Sequence, residues 1–173
     1  MFEKFTEKSI KIMTDAQKMA FGLESATIEP EHILLSILSQ PKFLLNKLLS
    51  YSHITKDELE PLLAKTFYKT QTPPKTTQNV GFSQSSRKVL VNTFEIAKKY
   101  AQTFISPEHI FLALLEDRKS NIYKILDSED FDLQKAKLNV IKLVGKKAKN
   151  NKHRYTQLII MLVIITVVSV GTS

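Results

Sequence analysis

Cysteine and tryptophan are absent from the 173 residues, and glycine occurs only four times. The lack of cysteine removes disulfide frames, thiolate nucleophiles and cysteine-ligated zinc or iron–sulfur centres, so an apolar core must hold any folded part together. Gly22, Gly81, Gly145 and Gly171 lie far apart. A phosphate loop needs the G-x-x-x-x-G-K-[ST] spacing, and Gly145 before Lys146 lacks the earlier glycine, which excludes a nucleotide-hydrolysing loop. Serine, histidine and aspartate show no triad-like spacing, and His53 and His153 stand alone. The expectation is therefore a protein that is not an enzyme, with no metal site and no cofactor. The length suits one domain.

Negative charge is missing from the last part of the chain. All 17 acidic residues precede position 142, whereas Lys142, Lys146, Lys147, Lys149, Lys152 and Arg154 follow without an acid among them. Of the formal net charge of +8, this run supplies six, leaving +2 on residues 1–141. Basic charge spread over a folded face would suggest nucleic acid. Gathered as a collar at one end it points to a membrane surface, and no nucleic-acid partner is expected.

From Tyr155 to Ser173 no residue is charged, and Leu158 to Val170 is apolar apart from Thr166 and Ser169. Tyr155 to Gly171 is 17 residues, the short end of the range for a spanning helix. Its β-branched content also fits a buried strand, but a lone strand has no partner in an otherwise helical chain. The reading is a single transmembrane tail anchor over 155–173 behind a juxtamembrane collar over 146–154. The positive-inside rule keeps the collar and everything before it on the cytoplasmic or equivalent side. Lys146, Lys147, Lys149, Lys152 and Arg154 would contact the membrane surface, each attracted to anionic lipid by roughly 1 kcal/mol.

Shifted by 77 residues, the chain aligns with itself: Phe5 with Phe82, Lys11 with Lys88, Ala20 with Ala97, Ile28 with Ile105, and Pro30, Glu31, His32, Ile33 with Pro107, Glu108, His109, Ile110. A fixed offset held over some sixty residues without a gap marks a tandem duplication. The boundaries read as repeat 1 over 1–67, an exposed linker over 68–81 with Pro73 and Pro74, and repeat 2 over 82–145.

Within each repeat the periodicity is helical. A first helix over Thr6–Phe21 would bury Ile10, Met13, Gln17, Ala20 and Phe21; its counterpart behind Ser83 would bury Val89, Leu90, Phe94, Ala97 and Ala101. The second opens with Pro30 or Pro107, the latter behind Ser106 as a cap, and buries Ile33, Leu34, Ile37 and Leu38, or Ile110, Phe111, Leu114 and Leu115. A short third covers Phe43–Leu49 or Ile122–Leu126. The fourth starts at Thr55, where Glu58 completes a capping box, or at Asp132. No strand is expected before the anchor, so the fold class is all-α, two four-helix halves related by a pseudo-two-fold axis.

The Glu31–His32 and Glu108–His109 pairs are the one feature with chemical potential. Neighbours on a helix point about 100° apart, which makes each pair a poor metal clamp. The structural account is a glutamate complementing the helix dipole and a histidine bonding a nearby loop. The binding account uses the glutamates, near Thr6 or Ser83, to accept bonds from a guanidinium or backbone donor.

Phe5, Thr6, Glu7 and Lys8 match an F-T-E-[KR] opening, and Pro30 to Leu35, repeated at Pro107 to Leu112, match a [TP]-E-H-[IL]-L-L signature. On these residues, over about 1–145, the chain resembles the Clp N-terminal repeat domain of AAA+ unfoldases, the ClpC type in particular. The resemblance implies a domain that docks adaptors and substrates. In some bacterial members it recognises phosphorylated arginine through the motif glutamate and a threonine near the start of each repeat. Carried over, this pairs Glu31 with Thr6 and Glu108 with Ser83 as candidate peptide or phosphoarginine sites. Where an unfoldase continues into ATPase modules, this chain has the collar and the apolar tail, which makes it similar to stand-alone Clp-domain accessory proteins of plastids. The expected function is recruitment of substrates, adaptors or Clp components to a membrane surface, a plastid thylakoid or a bacterial inner membrane. The alternative is a structural or accessory subunit of a large membrane complex, photosynthetic ones included, that uses the domain for packing.

Overall fold

The computed structural model describes residues 2–40, 56–66, 75–76, 80–128, 131–145 and 156. The described helices, numbered in chain order, are α1 (Glu7–Gly22), α2 (Pro30–Leu38), α3 (Lys56–Ala64), α4 (Gln84–Lys99), α5 (Pro107–Glu116), α6 (Asn121–Ser128) and α7 (133–145).

Helices α1 and α4 start and stop by the same local chemistry. Thr6 and Ser83 are the N-caps, their side-chain oxygens accepting from the N–H of Ser9 at 3.3 Å and of Ser86 at 3.1 Å. At the other end Glu24 (φ 57°) and Ala101 (φ 51°), again 77 residues apart, turn the chain left-handed. The next N–H groups fold back, Ser25 onto the Ala20 carbonyl and Gln102 onto the Ala97 carbonyl, both at 2.9 Å, closing a Schellman motif.

Helices α2 and α5 are the centre of the molecule. Every residue of α2 is buried, and so is every residue of α5 up to Leu115. An all-round apolar helix needs cover on every side, and α1, α4 and α6 supply it while α2 and α5 touch each other. The eight residues expected inside, from Ile33 to Leu38 and Ile110 to Leu115, are all core.

The inward seam of α1 differs from the expected one. Ile10 is 44% exposed, and the buried positions are Ser9, Ile12, Met13, Ala16 and Ala20. Ser9 points inward because its hydroxyl has a carbonyl to reach, that of Ile105 at 2.9 Å. In repeat 2, Phe94 is half-buried and Ala101 is exposed beyond the helix end, while Ser86, Thr93 and Ile96 are buried with the expected Val89, Leu90 and Ala97.

Two short strands correct the strand-free expectation. β1 (Thr27–Ile28) pairs in parallel with β2 (Gly81–Phe82), and Phe5 makes a parallel bridge to Ile105. These segments precede the caps of α2, α4, α1 and α5, where backbone groups still need partners. The end of the expected linker is consequently part of the fold: Val80 is buried, and its carbonyl accepts from the Gln17 side chain at 3.0 Å.

Ile122–Leu126 lies within α6, and Asp132 caps α7 by accepting from the Lys135 N–H at 2.8 Å. The third-helix segment Phe43–Leu49, the cap at Thr55, the collar over 146–154 and, apart from Thr156, the anchor over 155–173 lie outside the described residues. Among the described residues no helix is long and apolar enough to cross a membrane.

Candidate functional site: a cleft at the start of α2

The two histidines of the repeated motif are helix caps. His32 Nδ1 accepts from the Glu29 N–H at 2.9 Å, and His109 Nδ1 accepts from the Ser106 N–H at 3.0 Å, closing a capping box at each helix start. Both rings are buried. Burial pushes the His32 pKa down to about 4 against a smaller opposing pull from Glu29, so the ring is neutral at physiological pH. A neutral Nδ1 is what accepting a backbone N–H requires. No metal-binding group of three or more acidic or histidine side chains occurs among the described residues.

Glu31 has a different role. It occupies the first turn of α2, only 6% exposed. It lines a cleft of about 260 Å³ with Glu29, Ser85, Asp117, Ser120 and Asn121 among its walls. Burial raises its carboxyl pKa, countered in part by its own backbone N–H and the Asn121 side chain, while Glu29 raises it further. Glu29, Glu31 and Asp117 face one lysine, Lys119, around this cleft. A carboxylate so desolvated gains from a cationic donor placed in the cleft.

The segments bonded just ahead of the motif glutamates come from the opposite repeat. The Ser83 N–H donates to the Ile28 carbonyl at 3.1 Å, three residues before Glu31. The Thr6 N–H donates to the Ile105 carbonyl at 2.9 Å, three residues before Glu108. The main-chain bonds thus bring Ser83 to the Glu31 helix and Thr6 to the Glu108 helix, exchanged from the Thr6–Glu31 and Ser83–Glu108 pairing expected within each repeat. Ser86 reinforces the first junction, its hydroxyl donating to the Ile28 carbonyl at 2.6 Å as Ser9 does to Ile105. Glu108, 5% exposed, holds the equivalent place on α5.

Sequence reading missed Ser85, Asn121 and the Ser9–Ser86 pair. The last was visible as a polar residue interrupting an apolar stripe at the same place in both repeats. Asn121 was not, since its counterpart 77 residues earlier is Leu44. Lys146, Lys147, Lys149, Lys152 and Arg154 lie outside the described residues.

The Clp repeat (R) N-terminal domain model matches residues 4–129 and 81–160. The chain belongs to the Clp repeat N-terminal domain family. The ATP-binding subunit ClpC of the Clp protease of Staphylococcus aureus (strain USA300) is 26% identical over 156 residues, an alignment covering 88% of this chain and 18% of ClpC. The chain therefore spans under a fifth of that relative. The crystal structure of the Hsp104 N-terminal domain from Candida albicans aligns with a TM-score of 0.70 at 24% identity, over 83% of this chain and 93% of that one. A ClpV N-domain in complex with a VipB peptide aligns with a TM-score of 0.64 at 16% identity, over 79% of this chain and 84% of that one. The matches are to N-terminal Clp repeat domains, and the fold is all-α as expected.

Proposed function

We propose that this chain is a non-catalytic binding protein that captures substrates, adaptors or Clp components through the junctions between its repeats, and that its apolar tail holds it at a membrane. The observation that carries the binding part is the buried Glu31 carboxylate in a cleft with two further acids. That chemistry favours an arginine side chain of a peptide, and the family resemblance extends it to phosphoarginine, whose guanidinium N–H groups would donate to the carboxylate. The peptide held by the ClpV N-domain supports the same kind of use for this fold. The membrane part rests on the uncharged tail and its basic collar, with the folded part on the cytoplasmic or stromal side of a bacterial inner membrane or thylakoid.

The test is fluorescence anisotropy with labelled peptides carrying arginine or phosphoarginine, followed by isolation of the protein from native membranes and mass spectrometry of what remains bound. Glu31→Gln removes the charge while keeping the side chain's shape. It is expected to weaken peptide binding about tenfold or more, the loss of one charge-assisted hydrogen-bond pair. Clp subunits or adaptors should accompany the intact protein. No peptide binding by the unmutated chain, together with a fixed set of integral membrane subunits and no Clp component, would overturn this reading in favour of a structural subunit.

A further inference from the structure

The offset of 77 residues pairs each surface position of one repeat with its counterpart in the other, and the symmetry breaks most clearly at one corner. The last turn of α4 carries Lys98 and Lys99, whereas that of α1 carries no basic residue, Phe21 and Gly22 standing in their places. Thr27 is half-buried and its hydroxyl donates to Glu29 at 2.7 Å; its counterpart Phe104 is 57% exposed. A single exposed phenylalanine carries no message. Its neighbours here do.

The Gln102 side-chain amide donates to the Val144 carbonyl at 3.5 Å, which ties the loop after α4 to the last turn of α7. Lys142, two residues before Val144, is exposed, and Leu138, one turn earlier on the same face of α7, is 56% exposed. On the other side the Ile105 N–H donates to the Lys4 carbonyl at 2.7 Å, bringing the exposed Lys4 to the same loop. Lys4, Lys98, Lys99 and Lys142 and the exposed Phe104 and Leu138 therefore lie on segments that these two bonds join, with the exposed acids Glu3 and Glu95 on the same segments. Glu95, the acid on this part of α4, borders a separate shallow depression with Val91 and Asn92.

From Gly145 the sequence runs straight into the collar of Lys146, Lys147, Lys149, Lys152 and Arg154 and then into the uncharged segment. Lys142 thus precedes the first collar lysine by four residues along the chain. Lysines around an aromatic and a leucine form an interfacial composition, ammonium groups at the level of lipid phosphates and apolar tips just beneath. We infer that this corner of repeat 2 is a membrane-contacting surface that sits against anionic lipid head groups, with Lys98, Lys99 and Lys142 reading charge and Phe104 entering the interface. The inference rests on the tether reading and adds an orientation to it: repeat 2 faces the bilayer by its α4–α7 corner.

The absence of native cysteine makes the test clean. Phe104→Cys and, as a control at an exposed apolar position of repeat 1, Leu23→Cys are each labelled with an environment-sensitive fluorophore in the full chain. The labelled chain is diluted from detergent onto vesicles containing phosphatidylserine or onto vesicles of phosphatidylcholine alone, both carrying a nitroxide-lipid quencher. Flotation measures association. The expected result is quenching at position 104 and none at position 23, stronger with phosphatidylserine and lost in Lys98→Glu/Lys99→Glu/Lys142→Glu. A chain that floats with vesicles but shows equal or no quenching at the two positions overturns the corner and leaves the tether standing. Failure to float removes the tether and the corner together. Protection of position 104 by an acidic protein without quenching by lipid also overturns the proposal.

Discussion

Repeat 1 and repeat 2 share their interior and differ at their surfaces. Ser9 and Ser86, Ala20 and Ala97, Ile33 and Ile110 occupy equivalent buried places, and the left-handed residues Glu24 and Ala101 end equivalent helices. Away from the fully buried positions, Phe21 and Gly22 correspond to Lys98 and Lys99, Glu29 to Ser106 and Thr27 to Phe104. What was kept is what the packing of two central helices demands. What diverged is where a duplicated domain can give one copy a task the other does not have.

The strongest way to break this comparison is to ask whether the repeats fold as one unit. Ile33 and Ile110 are both fully buried on helices that touch each other. Ile33→Ala and Ile110→Ala are each expected to cost about 2–5 kcal/mol. In urea, far-ultraviolet circular dichroism and tyrosine fluorescence should report the same single, shifted midpoint for both variants. A split transition, with only one half lost in each variant, would show that the halves are separable.

Acid sharpens the comparison next. With a folded pKa of about 4 against an ordinary 6.5, His32 contributes stability that is complete above pH 6.5 and lost as pH falls toward 4. The unfolded chain takes up the proton that the buried ring refuses, at a cost reaching about 3 kcal/mol. Glu31, whose pKa burial raises, acts in the opposite sense, its stability contribution declining as pH rises through its folded value. Glutamine can keep the capping bond without titrating. Stability measured by urea titration at a series of pH values should therefore fall less steeply between pH 6.5 and 4 in His32→Gln than in the unmutated protein.

The interior was largely legible in the sequence because apolar periodicity and paired prolines report directly on α2 and α5. The caps at Ser83 and Ser106 and the helix starts at Thr6 and Asp132 were legible for the same reason, since the chemistry that starts a helix is local. Ile10 was expected inside in place of Ser9 because a serine on an apolar stripe is explained only by a carbonyl 96 positions away. The exchange of Ser83 and Thr6 between the glutamate helices was hidden likewise. An internal repeat shows which residues are equivalent, but not whether equivalent segments pair within a copy or across copies. The Glu31 cleft was half legible: the motif named the carboxylate, whereas Asn121 and Asp117 arrive by tertiary packing with no repeated signal.

The exchanged junctions supply a smaller test. Ser86→Ala deletes one buried hydroxyl bond, to the Ile28 carbonyl, and Ser9→Ala deletes the bond to the Ile105 carbonyl together with the 2.9 Å bond shared with the Thr6 hydroxyl. Those carbonyls keep the Thr6 and Ser83 N–H donors, so no acceptor is stranded. The expected loss is therefore only about 0.5–1.5 kcal/mol, nearer the net value of one hydrogen bond than the penalty of an orphaned group. Combined, the two should add, because they lie at opposite junctions. A double-mutant cycle giving strong coupling would show that the junctions communicate through the core.

The smallest effect tests the helix ends, where the repeats agree most closely. Ala101 adopts φ 51° and Glu24 φ 57°, a conformation in which a Cβ is unfavourable and glycine is not. Glycine relieves that strain but makes the unfolded chain more flexible, and the two terms partly cancel. Ala101→Gly should therefore stabilise the fold by about 0.5–1 kcal/mol. Ala101 is exposed and contributes no core contact that glycine would forfeit. Glu24→Gly carries the same backbone gain but also removes a side chain that interacts with its surroundings, so its gain should be smaller. Thermal unfolding of the two variants decides it: equal gains would mean that the backbone alone sets the helix end, whereas a deficit confined to Glu24→Gly would measure what repeat 1 has added to the shared turn.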